Sequence, residues 1–303
     1  MNSILFLGDT YVVSSYGLKS FNLMVEKLRA SYPDSTIIAN LECAIEVDES
    51  AKRPFGKAVP IVLKQEVFKN YPLIKYSPFN NHFSDCGIKN AHTAIEIFPS
   101  IIQQNPLKGI FFFVDLYEDC VCINDNFISF KLDNIVKYAK YFTGTHVIVH
   151  GGLEYSKYPT VRLKLLAERC VDLGAKSVNF THTHTDGIVQ SYNGTAINWG
   201  IREFIFESGV DSGGCSGAFL HSTCDDVKIM ELDSSGDIVE RDSSILTLPD
   251  VKSYQKQYAS LIKPRGIMRP RQNSRYFWIN DINFRLWRIL AKCYVEIKWR
   301  FGK

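Results

Sequence analysis

Short apolar runs of strand length alternate along this chain with stretches whose apolar residues recur every three to four positions. Residues 3 to 7, closing on Ile4-Leu5-Phe6-Leu7, read as a first strand. Phe21, Met24, Val25 and Leu28 predict a helix over Phe21–Ala30 that stops near Pro33. Thr36–Ala39 reads as a short buried strand, Val47–Val59 as a polar loop, Val67–Ile74 as a short helix and Ile88–Ile102 as a longer one. Ile110–Val114 has strand length, Ile135–Phe142 looks helical and Thr145–Val149 is a buried strand. Val161–Leu173 predicts an amphipathic helix closed by Gly174. Ser177–Phe180 is a further strand. Ile188–Ser191 and Thr195–Trp199 form a hairpin that turns on Asn193-Gly194. Ala218–Ser222 and Val227–Leu232 read as late strands.

Strands alternate with helices early, and hairpins dominate later. That order predicts an α/β fold, a mixed sheet with helices outside. The character changes after Val251, dividing the 303 residues into a domain over 1–250 and an appendage over 251–303. In the appendage, Pro264, Gly266, Pro270 and four arginines between 265 and 275 read as a basic linker. Phe284–Phe301 then has helical spacing. Leu286, Ile289, Leu290, Cys293 and Ile297 share one face; Arg285, Arg288, Lys292 and Glu296 share the other.

Charge sharpens this division. Residues 251–303 carry thirteen lysines and arginines against two acids, Asp281 and Glu296, which leaves 22 basic and 30 acidic side chains before them. Such segregation suits an anionic partner. Three roles stay open for the last helix: packing on the body, docking on an anionic membrane surface through residues 264–303, or contact with another copy or a polyanion. Trp278, Trp287, Trp299 and Phe301 suit a lipid interface. No nucleic-acid-binding fold is visible, and nucleic acid is not expected as a partner. No apolar run reaches membrane-spanning length, and the first residues have neither a basic leader nor a cleavage site, so a cytoplasmic protein is expected, peripheral to the membrane's inner face at most. The eight cysteines are scattered without a CxxC pair and read as reduced thiols.

The candidate chemistry lies in the polar residues that follow the apolar runs. Four of the seven histidines fall in three stretches: Asn80-Asn81-His82 with Asp85, His150-Gly151-Gly152, and His182-Thr183-His184. Gly8-Asp9 and Asn40-Leu41-Glu42 precede them. Carboxylates, amide oxygens and imidazoles brought to the ends of buried strands suit manganese, iron or zinc and resemble a two-metal hydrolytic site. His92, His146 and His221, and the acids at Asp211 and Asp225-Asp226, read more simply as packing, solvent-facing or turn residues.

Those motifs, in that order from residue 4 to about 206, resemble the bacterial capsule synthesis protein CapA family, whose fold is similar to the calcineurin-like metallophosphatases. The family's Gly-Asp, Asn-Leu-Glu and Asn-Asn-His-x-x-Asp-x-Gly are met by Gly8-Asp9, Asn40-Leu41-Glu42 and Asn80 to Gly87. Its His-x-Gly-x-Glu-Tyr and His-x-His are met by His150 to Tyr155, with Pro159 following, and by His182 to His184. The chain departs from the family's usual Gly-His-His-Pro-His, having Phe180-Thr181-His182-Thr183-His184 instead.

The resemblance implies a metallophosphatase-like mixed β-sandwich flanked by helices, here with the basic helical extension. It implies two divalent ions, with Asp9 and His184 on one, Asn81, His150 and His182 on the other, and Glu42 bridging. His82 would be the general acid or a phosphate contact, Asn40 and Asp85 would support the ligands, and Glu154 and Tyr155 would shape the substrate entrance. The implied activity is hydrolysis of a phosphate mono- or diester, on a phosphorylated small molecule or polymer precursor, in capsule or exopolymer biosynthesis. The alternative is a non-catalytic capsule or polyglutamate assembly subunit that binds polymer or synthase partners at the membrane.

Overall fold

The computed structural model describes residues 3–48, 61–104, 106–107, 109–115, 129–130, 135–136, 138–152, 156–207, 217–223, 226–233, 235–241, 245–250 and 252–254. The basic linker and last helix expected after residue 254 lie outside the described residues, as does most of the Val47–Val59 loop.

The first half runs β1 (Ile4–Tyr11), α1 (Ser15–Ser31), β2 (Thr36–Leu41), β3 (Ala44–Glu46), β4 (Val62–Lys64), α2 (Gln65–Phe68), β5 (Lys75–Ser77) and α3 (Ile88–Ile97). It continues with β6 (Ile110–Asp115), β7 (Ser129–Phe130), α4 (Ala139–Phe142), β8 (His146–His150), α5 (Val161–Asp172) and β9 (Ser177–Thr181). The last elements are β10 (Val189–Tyr192), β11 (Thr195–Asn198), β12 (Ile205–Phe206), β13 (Phe219–Ser222), β14 (Val227–Leu232), β15 (Ile238–Glu240) and β16 (Ile245–Leu246).

Among the described residues the strands form two seven-stranded mixed sheets and a small β3–β4 pair. The first sheet has the order β15-β14-β13-β1-β2-β5, with β12 also paired to β1. The second has the order β16-β10-β11-β9-β8-β6-β7. The two pack face to face: the Phe112 ring lies 5.7 Å from Phe6 and stacks on Phe79 at 5.2 Å. One buried cluster joins Ile4, Phe6, Ile38 and Leu220 of the first sheet to Ile110, Ile148 and Val189 of the second. Strand alternation sends Val147, Val149, Val178 and Phe180 the other way, onto Leu163, Leu166, Ala167 and Cys170 of α5 and Phe142 of α4. The fold is therefore an α/β sandwich flanked by helices, as expected. Cys43, Cys86 and Cys170 are buried and outside any disulfide, and no helix of the described residues is long and apolar enough to cross a membrane.

Several boundaries differ from the sequence reading. α1 begins at Ser15, not Phe21. Ser14 accepts a bond from the Gly17 amide at 2.9 Å, and the Glu207 carboxylate accepts from the Val13 and Ser14 amides at 2.7 and 2.8 Å. The cap residue Ser14 is itself held by Glu207, 193 positions away, a contact that leaves no trace in the local apolar spacing. The helix expected over Val67–Ile74 is the single turn of α2, well short of Pro72. α3 ends at Ile97 because Pro99 follows, and Ile101 bridges to Tyr76 instead. The Ile135–Phe142 helix is α-helical over Ala139–Phe142. The hairpin turns as expected, with Asn193 and Gly194 both at positive φ. α5 ends in a Schellman motif, in which the Ala175 amide donates to Cys170 and the Gly174 amide to Val171.

Candidate metal centre

The centre is assembled where β1, β2, β8 and β9 end, at one rim of the sandwich. Asp9 owes its place to an irregularity inside β1, which runs on to Tyr11 instead of ending at Leu7. Pairing with β2 shifts between Leu7 and Asp9, so Leu7 faces Ala39 while Asp9 faces Asn40. Gly8 sits at the shift. A Cβ there would come within 2.0 Å of the Arg202 carbonyl oxygen, so only glycine fits. Asp9 is thereby turned between the sheets, where Oδ1 accepts from Asn40 Nδ2 at 2.7 Å and Oδ2 from the His182 amide at 2.9 Å.

Glu42 lies just past the end of β2, tied to β1 by its amide bond to the Thr10 carbonyl at 3.2 Å. It is completely buried, and neither carboxylate oxygen has a hydrogen bond of proper geometry. Three imidazoles surround it. Oε1 is 3.4 Å from His150 Nε2, 3.7 Å from His182 Nδ1 and 4.0 Å from His184 Nε2.

Asn80 builds the third motif. Its Nδ2 donates to the Leu41 carbonyl at 2.7 Å, and its Oδ1 accepts from the His82 and Phe83 amides at 2.9 and 3.0 Å. This turn sets Asn81 Oδ1 2.8 Å from His150 Nε2. His82 Nδ1 lies 2.7 Å from Asp85 Oδ2, which also accepts from the Ile61 amide at 2.7 Å. Asp85 is buried, whereas the His82 side chain keeps 12% of its surface exposed.

His150 closes β8 opposite Thr181 in the ladder, and its Nδ1 is 3.0 Å from the Thr181 hydroxyl and 3.2 Å from Asn40 Nδ2. His182 and His184 follow β9 with φ of 83° and 49°, a conformation that costs a non-glycine residue about 1–2 kcal/mol. Asp9 accounts for part of the constraint by accepting from the His182 amide.

Burial, then the negative charge of Glu42, pushes the Asp9 carboxyl well above the usual range. Burial would also raise Glu42, but His184, His150 and His182 together outweigh it and hold that carboxyl well below the usual range. Burial lowers His150 to about 4 and keeps its ring neutral, the form that can bind a cation.

Two overlapping groups of donors result: Asp9, Glu42 and His150, and Glu42, His182 and His184, each with ligand atoms within 4.8 Å of one another. Glu42 belongs to both. Asp9 is 3.8 Å from both His150 and His184, so distance alone does not divide the ligands as the sequence motifs do. The donor set and the bare Glu42 oxygens fit divalent cations. Glu154 and Tyr155 lie outside the described residues. One contributor, Thr181, has no role in the sequence reading. Thr181 meets His150 only through strand register, which apolar patterning does not reveal. Asn80 was visible as part of a motif that could form a turn, and its side chain makes that turn.

No family model matches the chain, and no curated protein matches it. Among solved structures it is similar to one described as a novel phosphatase from Mycoplasma pneumoniae, at 13% identity and a TM-score of 0.40, covering 86% of this chain and 100% of that one. A likeness of that size carries no argument about chemistry.

Proposed function

We propose that this chain is a metal-dependent phosphoesterase with two divalent ions bound by Asp9, Glu42, Asn81, His150, His182 and His184. The observation that carries the reading is Glu42: a buried carboxylate shared by two donor groups and ringed by three imidazoles, none of which reaches its oxygens with proper hydrogen-bond geometry. Such a charge is expensive to bury without a compensating cation. Divalent ions there would polarise the phosphoryl oxygens and activate a water. Asn40 orients Asp9. Asp85 holds His82 through Nδ1, which leaves Nε2 as the nitrogen that can pass a proton to the leaving oxygen.

The finer proposal is a CapA-like enzyme of capsule or exopolymer biosynthesis that uses manganese, iron or zinc on a phosphorylated precursor. It would work at the cytoplasmic side of an anionic membrane reached through residues 264–303. The order of the five motifs and the thirteen basic side chains after residue 250 support that setting.

The test is metal content and hydrolysis of bis-p-nitrophenyl phosphate and p-nitrophenyl phosphate with added Mn²⁺. Wild type should bind metal and turn over, and Glu42→Ala should lose both. His82→Ala should keep the metal and slow turnover by about 10²-fold. An absence of bound metal in wild type, even with Mn²⁺ supplied, overturns the proposal.

A further inference from the structure

The loop that carries His182 and His184 continues into a partly exposed ionic network on its far side, in which Asp186 and Arg202 are half-buried and Arg241 is nearly covered. Asp186, two residues beyond His184, accepts a hydrogen bond from one guanidinium group and forms an ion pair, without hydrogen-bond geometry, with a second. Arg241 Nη1 donates to Asp186 Oδ1, and Arg202 Nε lies 3.0 Å from the same oxygen. Arg241 follows β15 at the edge of the first sheet, and its side chain is only 10% exposed. Its Nη2 also donates to the Gly200 carbonyl at 3.3 Å, and Gly200 accepts from the Gly187 amide at 3.1 Å. Arg202 reaches Glu231 of β14 at 3.2 Å, while its own carbonyl packs on Gly8 beside Asp9.

The loop is therefore fixed at both ends. At the near end, the His182 amide donates to Asp9. At the far end, one acid is shared by two arginines that belong to different parts of the fold. Between these ends sit two non-glycine residues in left-handed conformation, which backbone sterics alone would release. A planar guanidinium can bridge a carboxylate and a carbonyl together, whereas an ammonium at the same place can serve as only a point charge.

We infer that Asp186, Arg202 and Arg241 form an ionic clamp that holds the His182–His184 loop in its left-handed conformation. They are positioning residues, acting through the two histidines without touching what those bind. The inference about the loop stands on the geometry, and its consequence for metal binding rests on the function proposed above.

The experiment uses the full chain as wild type, Arg241→Lys, Asp186→Asn and the control Glu240→Gln, which breaks the neighbouring Lys228–Glu240 pair but leaves the clamp. Amide exchange at His182 and the Mn²⁺ dissociation constant are measured, with thermal melts to establish folding. In Arg241→Lys and Asp186→Asn, the His182 amide should exchange at least about tenfold faster. The dissociation constant should rise by about tenfold or more, the scale of lost outer-ligand support. Amides of the central strands, such as Ile148 and Val178, should keep their protection, and Glu240→Gln should match wild type. A folded clamp variant with unchanged His182 exchange and unchanged Mn²⁺ affinity overturns the inference. So does a uniform rise in exchange across the sheets, which would mark a stability effect only. If wild type takes up no Mn²⁺, the proposed function fails, while His182 exchange still decides the clamp.

Discussion

Asp9 and Glu42 are two carboxylates in one buried site, and their surroundings push them in opposite directions. Glu42 has the imidazoles around it and stays charged. Asp9 is raised by burial and by the charge of Glu42, despite bonds from Asn40 and the His182 amide. Without a cation, Asp9 is the member of the pair that takes up a proton more readily. A metal ligand must give that proton up. Mn²⁺ binding near neutral pH is therefore expected to release protons, fewer as the pH is raised. Calorimetry in two buffers of different ionisation enthalpy measures the number, and Asp9→Asn should release fewer than wild type. Equal release from the two proteins would mean that another group supplies the proton. His182 was legible as a candidate ligand from its His-x-His spacing. Its left-handed backbone was not, because Thr181-His182-Thr183 contains no glycine or asparagine to announce positive φ.

At the scale of elements, the site depends on how β1 ends and how α1 begins. The register shift at Gly8 turns Asp9 inward, and the Arg202 carbonyl leaves no space for a side chain at residue 8. Gly8→Ala must displace backbone, so it should destabilise the fold by about 1–3 kcal/mol, as overpacking does. Because Asp9 moves with it, Mn²⁺ affinity should fall as well. Denaturant unfolding and metal titration check the two effects separately. A stable Gly8→Ala that binds metal normally would show that the register shift does not position Asp9. Gly-Asp after an apolar run was readable as a motif, but the reason for the glycine lay in Arg202, whose approach no local pattern encodes. The start of α1 has the same lesson: Ser14 caps it and Glu207, just past β12, holds that cap, so the helix extends a turn and a half beyond the apolar spacing that predicts it.

At the scale of the molecule, two sheets enclose polar residues as well as apolar ones. His146, at the opposite end of β8 from His150, is 3.0 Å from the Ser177 hydroxyl and 3.0 Å from the carbonyl of Thr223, which follows β13 of the other sheet. Burial lowers its pKa, so it stays neutral in the fold and gains a proton more readily once unfolded. The sign follows from linkage. Below the ordinary histidine value of about 6.5 the unfolded chain binds more protons, so this contribution is present above that pH and is lost as the pH falls. The stability gap between metal-free wild type and His146→Gln should therefore narrow from pH 7.5 to pH 5. Thermal melts across that range check it, and a gap that widens towards acid pH would contradict the assignment.

Apolar periodicity by itself determined the α/β class, the central strands β1, β2, β6, β8 and β9, the helix α5 and the Asn193-Gly194 hairpin. Each rests on local spacing or on a turn chemistry that two residues specify. The order of polar motifs after those strands likewise marked Asp9, Asn40, Glu42, Asn81, His82, Asp85, His150, His182 and His184 as candidates, and the structure brings all nine to one rim. What the tertiary structure alone decided was pairing between distant segments. It set the two-sheet order, the short strands β3, β4, β5 and β12, the hydrogen bond of Thr181 to His150, and the grip of Arg202 and Arg241 on Asp186. The bond of Thr181 to His150 joins residues 31 positions apart, and that of Arg241 to Asp186 residues 55 apart. Their energies depend on which strand becomes whose neighbour, a quantity no local window of sequence contains.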